Sequence, residues 1–353
     1  MPSSARPQYP RPLTAGSRIA VTAPSSGVLP PLHPRLDLNL AQLRVQGFIV
    51  EEGLCLRDEH MSASASAASR AAELMHFLLH DDIDAIFPPW GGELAIELLD
   101  RLDWSALQHA RPKWLIGYSD TSTLMLPLTL RLGWASAHGP CLMDLAPGQN
   151  DALTRGALGV LATSPGGVVM QQQSPHWQSK WTDFTLVPDV TYALTEPTQW
   201  RCLNRSGDGP PLRFKGRLMG GCLDTLMHLA GSVFGNLPGF VQGCGAEGAI
   251  LYLENAEMSP TELVRALHRL RWAGWFNGLA GLLIGRSAAA DTTGAHELRC
   301  AAALQRELGG LPFPVLVDVD IGHRPPQLML VNGALAEVEW SAGDGGSVTQ
   351  TFV

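Results

Sequence analysis

The sequence lacks several features that mark common classes of protein. Charged residues make up only 16% of the 353 residues, and the net charge of −8 comes with no cluster of lysine and arginine. We therefore expect no nucleic-acid partner, because such partners are recognised by basic patches. No stretch approaches the roughly 18 consecutive apolar residues that a membrane-spanning helix requires, so we expect no membrane partner.

The usual metal and cofactor motifs are also missing. The six cysteines are scattered, with no Cys-x-x-Cys pair, which disfavours a zinc site or a disulfide framework and favours free thiols in a reducing compartment. His76 and His80 lie four residues apart without a third ligand nearby. No Gly-x-Gly-x-x-Gly follows the first predicted strand. The sequence thus predicts no metal and no cofactor.

The beginning of the chain is rich in proline, serine and arginine and has no apolar segment of the kind a signal peptide carries. We interpret residues 1–15 as a flexible tail. With the free thiols and the absence of long apolar runs, this predicts a soluble cytoplasmic protein. A hydrophobic content of 45% and the chain length allow two domains of ordinary size.

The first half alternates strand and helix patterns, which predicts a parallel sheet covered by helices on both faces. Strands are predicted at 18–23, 48–51, 83–87 and 114–116, and helices at 36–46, 65–80, 93–102 and from 121 to about 132. We predict an N-terminal α/β domain over 16–170, which carries the nucleophile, and a connecting segment over 171–212 that contains Trp177, Trp181 and Trp200.

The second half resumes the same alternation and predicts a C-terminal domain over 213–353. Strands are predicted at 215–218, 249–253, 279–284, 315–319, 328–331 and 336–340, and helices at 223–230, 260–272 and 296–308. Gly220-Gly221 is interpreted as a turn between the first strand and the first helix. The fold class is therefore α/β in both halves.

The most informative motif is Gly117-Tyr118-Ser119-Asp120, between an apolar strand pattern and a helix pattern. A serine on a sharp strand-to-helix turn exposes its hydroxyl beside helix N-terminal amides, which is how a serine nucleophile is mounted. The motif lacks the final glycine of Gly-x-Ser-x-Gly, because Thr121 stands there. A helix cap is the alternative interpretation.

A nucleophilic serine needs a base and a group that orients the base. Glu254 ends the apolar strand pattern 250–253, and His323 follows another strand in a Gly-His-Arg-Pro turn. The carboxyl ends of parallel strands share one edge of the sheet, where active sites collect. The alternatives are a turn cap for Glu254 and a structural histidine for His323.

Gly91-Gly92 follows the predicted strand 83–87. Glycines at such a turn let backbone amides approach a ligand closely, so this pair and the Asp120 amide are candidates for an oxyanion hole. A tight turn without further function is the alternative. These motifs together predict a serine hydrolase.

The motifs, in their order along the chain, resemble those of the LD-carboxypeptidase family of serine peptidases, which includes muramoyl-tetrapeptide carboxypeptidases and microcin C immunity-type peptidases. The matching segments are 19–27, 83–86, 91–92, 112–121, 138–140, 216–223, 251–254, 281–285 and 322–325.

The resemblance implies a catalytic triad of Ser119, Glu254 and His323, with oxyanion amides near Gly92 and Asp120. It also implies a flavodoxin-like N-terminal domain, a smaller swivelling β/α C-terminal domain, a homodimer and no metal. The expected reaction is hydrolysis of an amide bond in a murein tetrapeptide or in a microcin C-type peptidyl or aminoacyl nucleotide.

The sequence departs from the family pattern in two places. It has Pro-Trp-Gly-Gly-Glu at 89–93 where many LD-carboxypeptidases carry Arg-Gly-Gly-Tyr-Gly, and it has a tryptophan-rich middle segment. Both features are closer to the microcin immunity-type branch, in which tryptophan is associated with stacking on a nucleotide. The candidate substrate-binding residues are Gly91, Glu93, Trp177, Trp181 and Trp200.

Two alternatives from other classes stay open on the sequence alone. One is a class I amidotransferase-like enzyme, which shares the N-terminal architecture but uses a cysteine where Ser119 stands. The other is a binding protein that has kept the cleft and lost catalysis.

Overall fold

The computed structural model describes residues 7–205 and 210–353. The strands are β1 (Arg18–Val21), β2 (Ile49–Glu52), β3 (Ile83–Ile86), β4 (Trp114–Gly117), β5 (Ser136–His138), β6 (Val168–Gln172), β7 (His176–Trp177), β8 (Glu196–Pro197), β9 (Arg201–Cys202), β10 (Leu212–Cys222), β11 (Ala249–Glu254), β12 (Gly281–Gly285), β13 (Val315–Val319), β14 (Leu330–Asn332), β15 (Leu335–Ser341) and β16 (Gly345–Thr351). The helices are α1 (His33–Val45), α2 (Ala67–Leu79), α3 (Trp104–Leu107), α4 (Ser122–Leu132), α5 (Ala152–Leu161), α6 (Leu223–Leu229), α7 (Leu237–Cys244), α8 (Pro260–Trp272) and α9 (Cys300–Leu308).

The first sheet has the strand order β14-β5-β4-β3-β1-β2. The five strands from the N-terminal half are parallel to their neighbours, and β14 from the end of the chain joins antiparallel to β5. β3 and β4 are buried along their whole length, in agreement with their mainly apolar sequences, and the one charged residue in them, Asp84 of β3, accepts a hydrogen bond from the Arg18 amide at 3.1 Å. The predicted parallel α/β sheet is confirmed.

The second sheet has the strand order β6-β16-β15-β10-β11-β12-β13-β9. Its central strands β10 to β13 are parallel, while β15, β16, β6 and β9 pair antiparallel. The two-domain α/β architecture is therefore present. The predicted boundaries at 170 and 212 stay predictions, and the sheets do not follow them strictly, since β14 joins the first sheet and β6 joins the second.

Four expectations about local structure are wrong. Residues 7–15 of the predicted flexible tail pack against the folded chain, since Leu13 is 2% exposed and its amide donates to the carbonyl oxygen of Leu161 at 2.9 Å, while residues 1–6 lie outside the described residues. The predicted helix 93–102 is a single 3₁₀ turn, Ala95–Leu98, followed by the short α3. Gly220-Gly221 continues β10 and does not form a turn. The weakly patterned middle of the chain contains α5 and the edge strand β6, which the composition of that region had hidden.

The two halves meet directly behind the predicted nucleophile. The amide of Cys222, at the end of β10, donates a hydrogen bond to Ser122 Oγ at the start of α4, at 3.0 Å. An added Cβ at Gly221 would lie 2.6 Å from the same oxygen, so only glycine allows this approach. The carboxyl end of the second sheet is thereby fixed against the first turn of α4.

Candidate active site

Ser119 occupies a strained turn between β4 and α4. Its φ of +59° lies in the left-handed region, which costs a residue with a side chain about 1–2 kcal/mol. Gly117 precedes it with φ +142°, and a 3₁₀ turn over Ser119–Thr121 leads into the helix. A strained serine at the carboxyl end of a parallel strand has the geometry of a nucleophile elbow.

The Gly91-Gly92 loop lies against this elbow. An added Cβ at Gly91 would be 2.6 Å from Ser119 Cβ and 2.7 Å from the amide nitrogen of Asp120. Gly92 has φ +137°, and a Cβ there would be 2.7 Å from the amide nitrogen of Ser26. Both positions therefore require glycine, and the loop brings backbone amides to the side of the serine.

The side chain of Asp120 is structural, in contrast to its amide. It is buried and accepts hydrogen bonds from Ser25 Oγ at 2.6 Å, Thr123 Oγ1 at 2.9 Å and the Ala95 amide at 2.8 Å. Burial raises the pKa of Asp120 despite these donors. The carboxyl group thus links three segments: the loop after β1, the 3₁₀ turn that begins at Ala95, and α4. These hydrogen bonds hold the elbow in place.

Glu254 and His323 form a buried pair at the end of the second sheet. His323 Nδ1 lies 2.8 Å from Glu254 Oε2, and the carboxylate side chain is completely buried whereas the imidazole is 20% exposed. Gly322, with φ +87°, leaves the space that Glu254 fills. Nδ1 is therefore engaged by the carboxylate, and Nε2 is the nitrogen left for proton transfer.

The electrostatics of this pair favour an ion pair on protonation. Burial alone would lower the pKa of His323, but the adjacent Glu254 carboxylate outweighs it and the pKa lies above its usual value. Burial would raise the pKa of Glu254, but His323 outweighs that and the pKa is lowered. The carboxylate therefore stabilises the imidazolium that would form when His323 accepts a proton.

The elbow and the pair meet through Tyr118. Its ring packs edge-on against the His323 ring, with centroids 4.8 Å apart, and it directly precedes Ser119 in the chain. The contact places the Glu254–His323 pair beside the residue that precedes Ser119, although these residues come from separate strand ends. An imidazole in this position, oriented by a buried carboxylate, is able to accept the proton of a serine hydroxyl group.

Glu93 lies at the exposed mouth of the site. Partial burial, together with the nearby charges of Glu257, Asp120 and Asp224, raises the pKa of its carboxyl group. Asp224 itself accepts hydrogen bonds from the amides of Ala256 and Glu257, each at 2.9 Å. The mouth is consequently acidic on this side.

The three candidate tryptophans occupy different environments. Trp200 is only 2% exposed, packs in the core of the second sheet and donates from Nε1 to Asp320 Oδ2 at 2.8 Å. Trp177 is half-buried, with the Arg286 guanidinium 5.5 Å from its ring centroid. Trp181 is 60% exposed. Trp200 therefore has no free face on which a substrate ring could stack.

The segment with Trp177 and Trp181 is tied to the turn that carries His323. The Gln178 amide donates to the carbonyl oxygen of Pro325 at 2.8 Å, and the Arg324 guanidinium donates to the carbonyl oxygen of Ser179. The segment that carries the two tryptophans is therefore held against the turn that carries His323.

Four residues that surround the elbow and the pair lie in segments singled out from the sequence, but sequence reasoning gave them no role: Ser25, Tyr118, His138 and Cys222. Their positions depend on which strands are neighbours, and no local pattern specifies that. No group of three or more residues able to hold a metal ion occurs within 7–205 and 210–353. Across the same ranges, no helix is long and apolar enough to cross a membrane.

Comparisons with known proteins agree with this geometry. Residues 19–139 match the family model described as the LD-carboxypeptidase N-terminal domain, and residues 215–338 match the LD-carboxypeptidase C-terminal domain. The matched ranges contain the elbow, the glycine loop, the buried glutamate and the histidine.

Two curated relatives match over nearly their whole length. The murein tetrapeptide carboxypeptidase of Pseudomonas aeruginosa is 27% identical over 310 residues, covering 88% of this chain and 87% of that protein. The microcin C7 self-immunity protein MccF of Escherichia coli is 24% identical over 350 residues, covering 98% of this chain and 97% of that protein.

The fold is also that of solved structures. MccF in complex with glutamyl sulfamoyl guanosine superposes with a TM-score of 0.80 at 22% identity over 98% of both chains. An MccF-like protein from Streptococcus pneumoniae in complex with AMP superposes with a TM-score of 0.76 at 21% identity, over 96% of this chain and 99% of that one. At these identities the likeness shows the two-domain fold.

Proposed function

The chain belongs to the LD-carboxypeptidase family of serine peptidases, and from this premise we propose that Ser119, His323 and Glu254 form its catalytic triad. The enzyme hydrolyses an amide bond of a small substrate. The observation that carries the proposal is the 2.8 Å contact between the buried Glu254 carboxylate and His323 Nδ1, beside the strained Ser119. Family membership also argues against the amidotransferase and the inactive binding protein.

The reaction has two stages, and in each His323 accepts one proton and donates it again. Ser119 Oγ attacks the amide carbonyl carbon while His323 Nε2 takes the hydroxyl proton. His323 then gives that proton to the leaving amine, and an acyl-enzyme ester remains on Ser119. Water, deprotonated by His323, hydrolyses the ester and restores the hydroxyl group. Glu254 stabilises the imidazolium during each transfer.

The backbone amides near Gly92 and Asp120 stabilise the oxyanion in this proposal. The support is steric: the Asp120 amide lies where any side chain at Gly91 would cover it. Preorganised amides aimed at a developing negative charge lower the barrier because they need no reorganisation during the reaction.

For the substrate, we propose a peptidyl or aminoacyl nucleotide as the first candidate. Trp181 offers an exposed aromatic face and Trp177 a half-buried one, and both lie on the segment bonded to the His323 turn. Aromatic faces stack on nucleobases with a gain of about 1–3 kcal/mol per base. Solved relatives of the same fold hold aminoacyl nucleotide analogues, which supports this candidate.

A murein tetrapeptide is the second candidate, and it would place the enzyme in peptidoglycan recycling. The support is the 27% identity to a murein tetrapeptide carboxypeptidase over most of both chains. The acidic mouth formed by Glu93 and Glu257 suits a substrate that presents an amino group, a feature that both candidates have.

We further propose a cytoplasmic homodimer. All six cysteines are free and four of them are buried, as is usual in a reducing compartment. Val168 and Met170, on the edge strand β6, are 61% and 60% exposed, which is apolar surface that a second copy could cover. Light scattering coupled to size-exclusion chromatography measures the mass directly.

The substrate experiment is a panel that follows the release of a free amino acid from a murein tetrapeptide and from an aminoacyl sulfamoyl adenosine or guanosine. We expect turnover of the nucleotide-linked compounds by the wild type and none by Ser119→Ala. Turnover of the tetrapeptide alone would replace the first candidate by the second. No turnover of either, with the fold intact, would contradict the proposed function.

A further inference from the structure

His138, at the end of β5, lies behind the catalytic pair. It is completely buried, and its neighbours in the sheet are Gly117 of β4 and Leu330 of β14. The rings of Tyr118 and Tyr252 pack edge-on against it, with centroids 6.4 Å and 5.3 Å away. The two tyrosine rings thus hold the imidazole between the first sheet and the second.

Buried polar atoms near His138 lack hydrogen-bond partners. Within the described ranges, neither ring nitrogen of His138 has a hydrogen-bond partner in another residue, although the ring interacts with its own backbone, and Oε1 of Glu254 has no partner of good geometry. Leaving a buried polar group unsatisfied costs about 1–3 kcal/mol, and more for a charged group. A donor and an acceptor that are both buried and both unpartnered satisfy each other at the lowest cost.

The two residues are close enough to influence each other electrostatically. Burial lowers the pKa of His138 to about 4, even though the Glu254 charge acts to raise it. His138 in turn helps to lower the pKa of Glu254. The imidazole is therefore neutral near pH 7, with one N–H donor and one acceptor nitrogen.

A second group also faces the carboxylate. The Cys222 thiol interacts with Glu254, and its pKa is raised well above the usual value by burial and by this charge. A thiol is a weak donor, and Cys222 Sγ also lies 3.7 Å from Asp224 Oδ2. It is a poor substitute for an imidazole N–H.

We propose that His138 is a positioning residue that donates its N–H to Oε1 of Glu254 across one buried water molecule. Oε2 then holds His323 while Oε1 is held by His138, which fixes the carboxylate plane. This inference rests on the proposed function, because it gives the triad glutamate its own support.

Loss of the donor changes the proton affinity of the pair. Without the N–H from His138, the Glu254 charge is less well stabilised, so the Glu254–His323 pair binds its proton more tightly. The acid limb of kcat/KM, which reports deprotonation of the pair, then moves to higher pH. Asp224 and Asp144 also raise the pKa of His323, but they are unchanged by the substitution.

The experiment compares three variants by NMR titration of His323 and by pH profiles of kcat/KM. In His138→Phe the ring is kept and the N–H is lost, and in His138→Gln an N–H donor is restored. Tyr252→Phe is the matched control, because it removes a buried hydroxyl that bonds Asn332 at 2.7 Å on the far side of His138. We expect His138→Phe to lower kcat/KM about 10- to 100-fold, as expected for a lost hydrogen bond to a charged group.

Two observations together would support the inference. The His323 titration and the acid limb move to higher pH in His138→Phe, and both return toward the wild type in His138→Gln. Tyr252→Phe leaves both in place, whatever its melting temperature. An unmoved His323 titration in a folded His138→Phe protein would overturn it, and so would a folded His138→Gln protein whose titration is shifted as far to higher pH as that of His138→Phe.

The design separates this inference from the proposed function. The NMR titration reads the Glu254–His323 pair without any substrate. If the wild type turns nothing over, the proposed function fails while the titration still decides the role of His138. If the wild type is active and the titration of His138→Phe is unmoved, only the role of His138 fails.

Discussion

Replacement of Glu254 by glutamine removes the charge from the most buried member of the triad. The substitution keeps the shape, and the contact of 2.8 Å to His323 Nδ1 shows that the two side chains are in full hydrogen-bond contact. A hydrogen bond to a charged group is worth about 1.5–3 kcal/mol, so orientation alone would cost about 10- to 150-fold in rate. Loss of the tautomer and of imidazolium stabilisation in comparable triads costs about 10⁴-fold in kcat, or about 5.4 kcal/mol.

The expected result for Glu254→Gln is therefore a fall in kcat of about 10⁴-fold. The pH profile moves as well. In the wild type the Glu254 charge outweighs burial and keeps the pKa of His323 above its usual value, so the acid limb lies above that value. With glutamine, burial acts without opposition from this charge, and the acid limb moves to lower pH.

The assay is kcat and kcat/KM across pH with the best substrate of the panel. Glu257→Gln is the matched control, because it removes an exposed carboxylate at the same mouth, and exposed charges contribute little. We expect kcat and the acid limb of the control to stay close to those of the wild type, since a contact between Glu257 and a substrate amino group would change KM. A Glu254→Gln enzyme with a loss below about 100-fold and an unmoved acid limb would refute the reasoning, since Glu254 would then only cap a turn.

Three further predictions concern the elbow and the tryptophans. Gly91→Ala should lower kcat about 10²- to 10³-fold, because a Cβ there meets the Asp120 amide 2.7 Å away; unchanged kcat would show that this amide does not stabilise the oxyanion. Ser119→Gly should melt about 2 °C above the equally inactive Ser119→Ala, since glycine relieves the positive φ; equal melting temperatures in calorimetry would contradict the strain. Trp181→Ala should raise KM for nucleotide-linked substrates at constant melting temperature, whereas Trp200→Ala should destabilise the fold by about 3–5 kcal/mol; the reverse pattern would contradict the stacking proposal.

Much of the candidate site could be predicted from the sequence because parallel α/β sheets place their functional residues at strand ends. Ser119, Glu254 and His323 each follow a run of apolar residues that is typical of a strand. Such a run is a local property of the chain, so it can be recognised without knowledge of the fold. The glycines at 91 and 92 were candidates for the same reason, since they lie in the loop that follows β3.

The remainder depends on contacts between distant segments. The return of β14 to the first sheet puts Leu330 beside His138, and the partners of His138 come from three different strands. The exposure of the tryptophans is also set by tertiary structure. Trp200 and Trp181 lie in the same connecting segment, yet Trp200 is buried in the core of the second sheet and Trp181 is exposed. Composition cannot distinguish them.

The central claim is that Ser119 is an activated nucleophile, and labelling with a fluorophosphonate followed by peptide mass spectrometry tests it most directly. We predict a single adduct on the peptide that contains Ser119, no adduct after heat denaturation, and strongly reduced labelling in a folded His323→Ala protein. Equal labelling of the Ser119→Ala protein, or an adduct on another residue of the wild type, would contradict the claim.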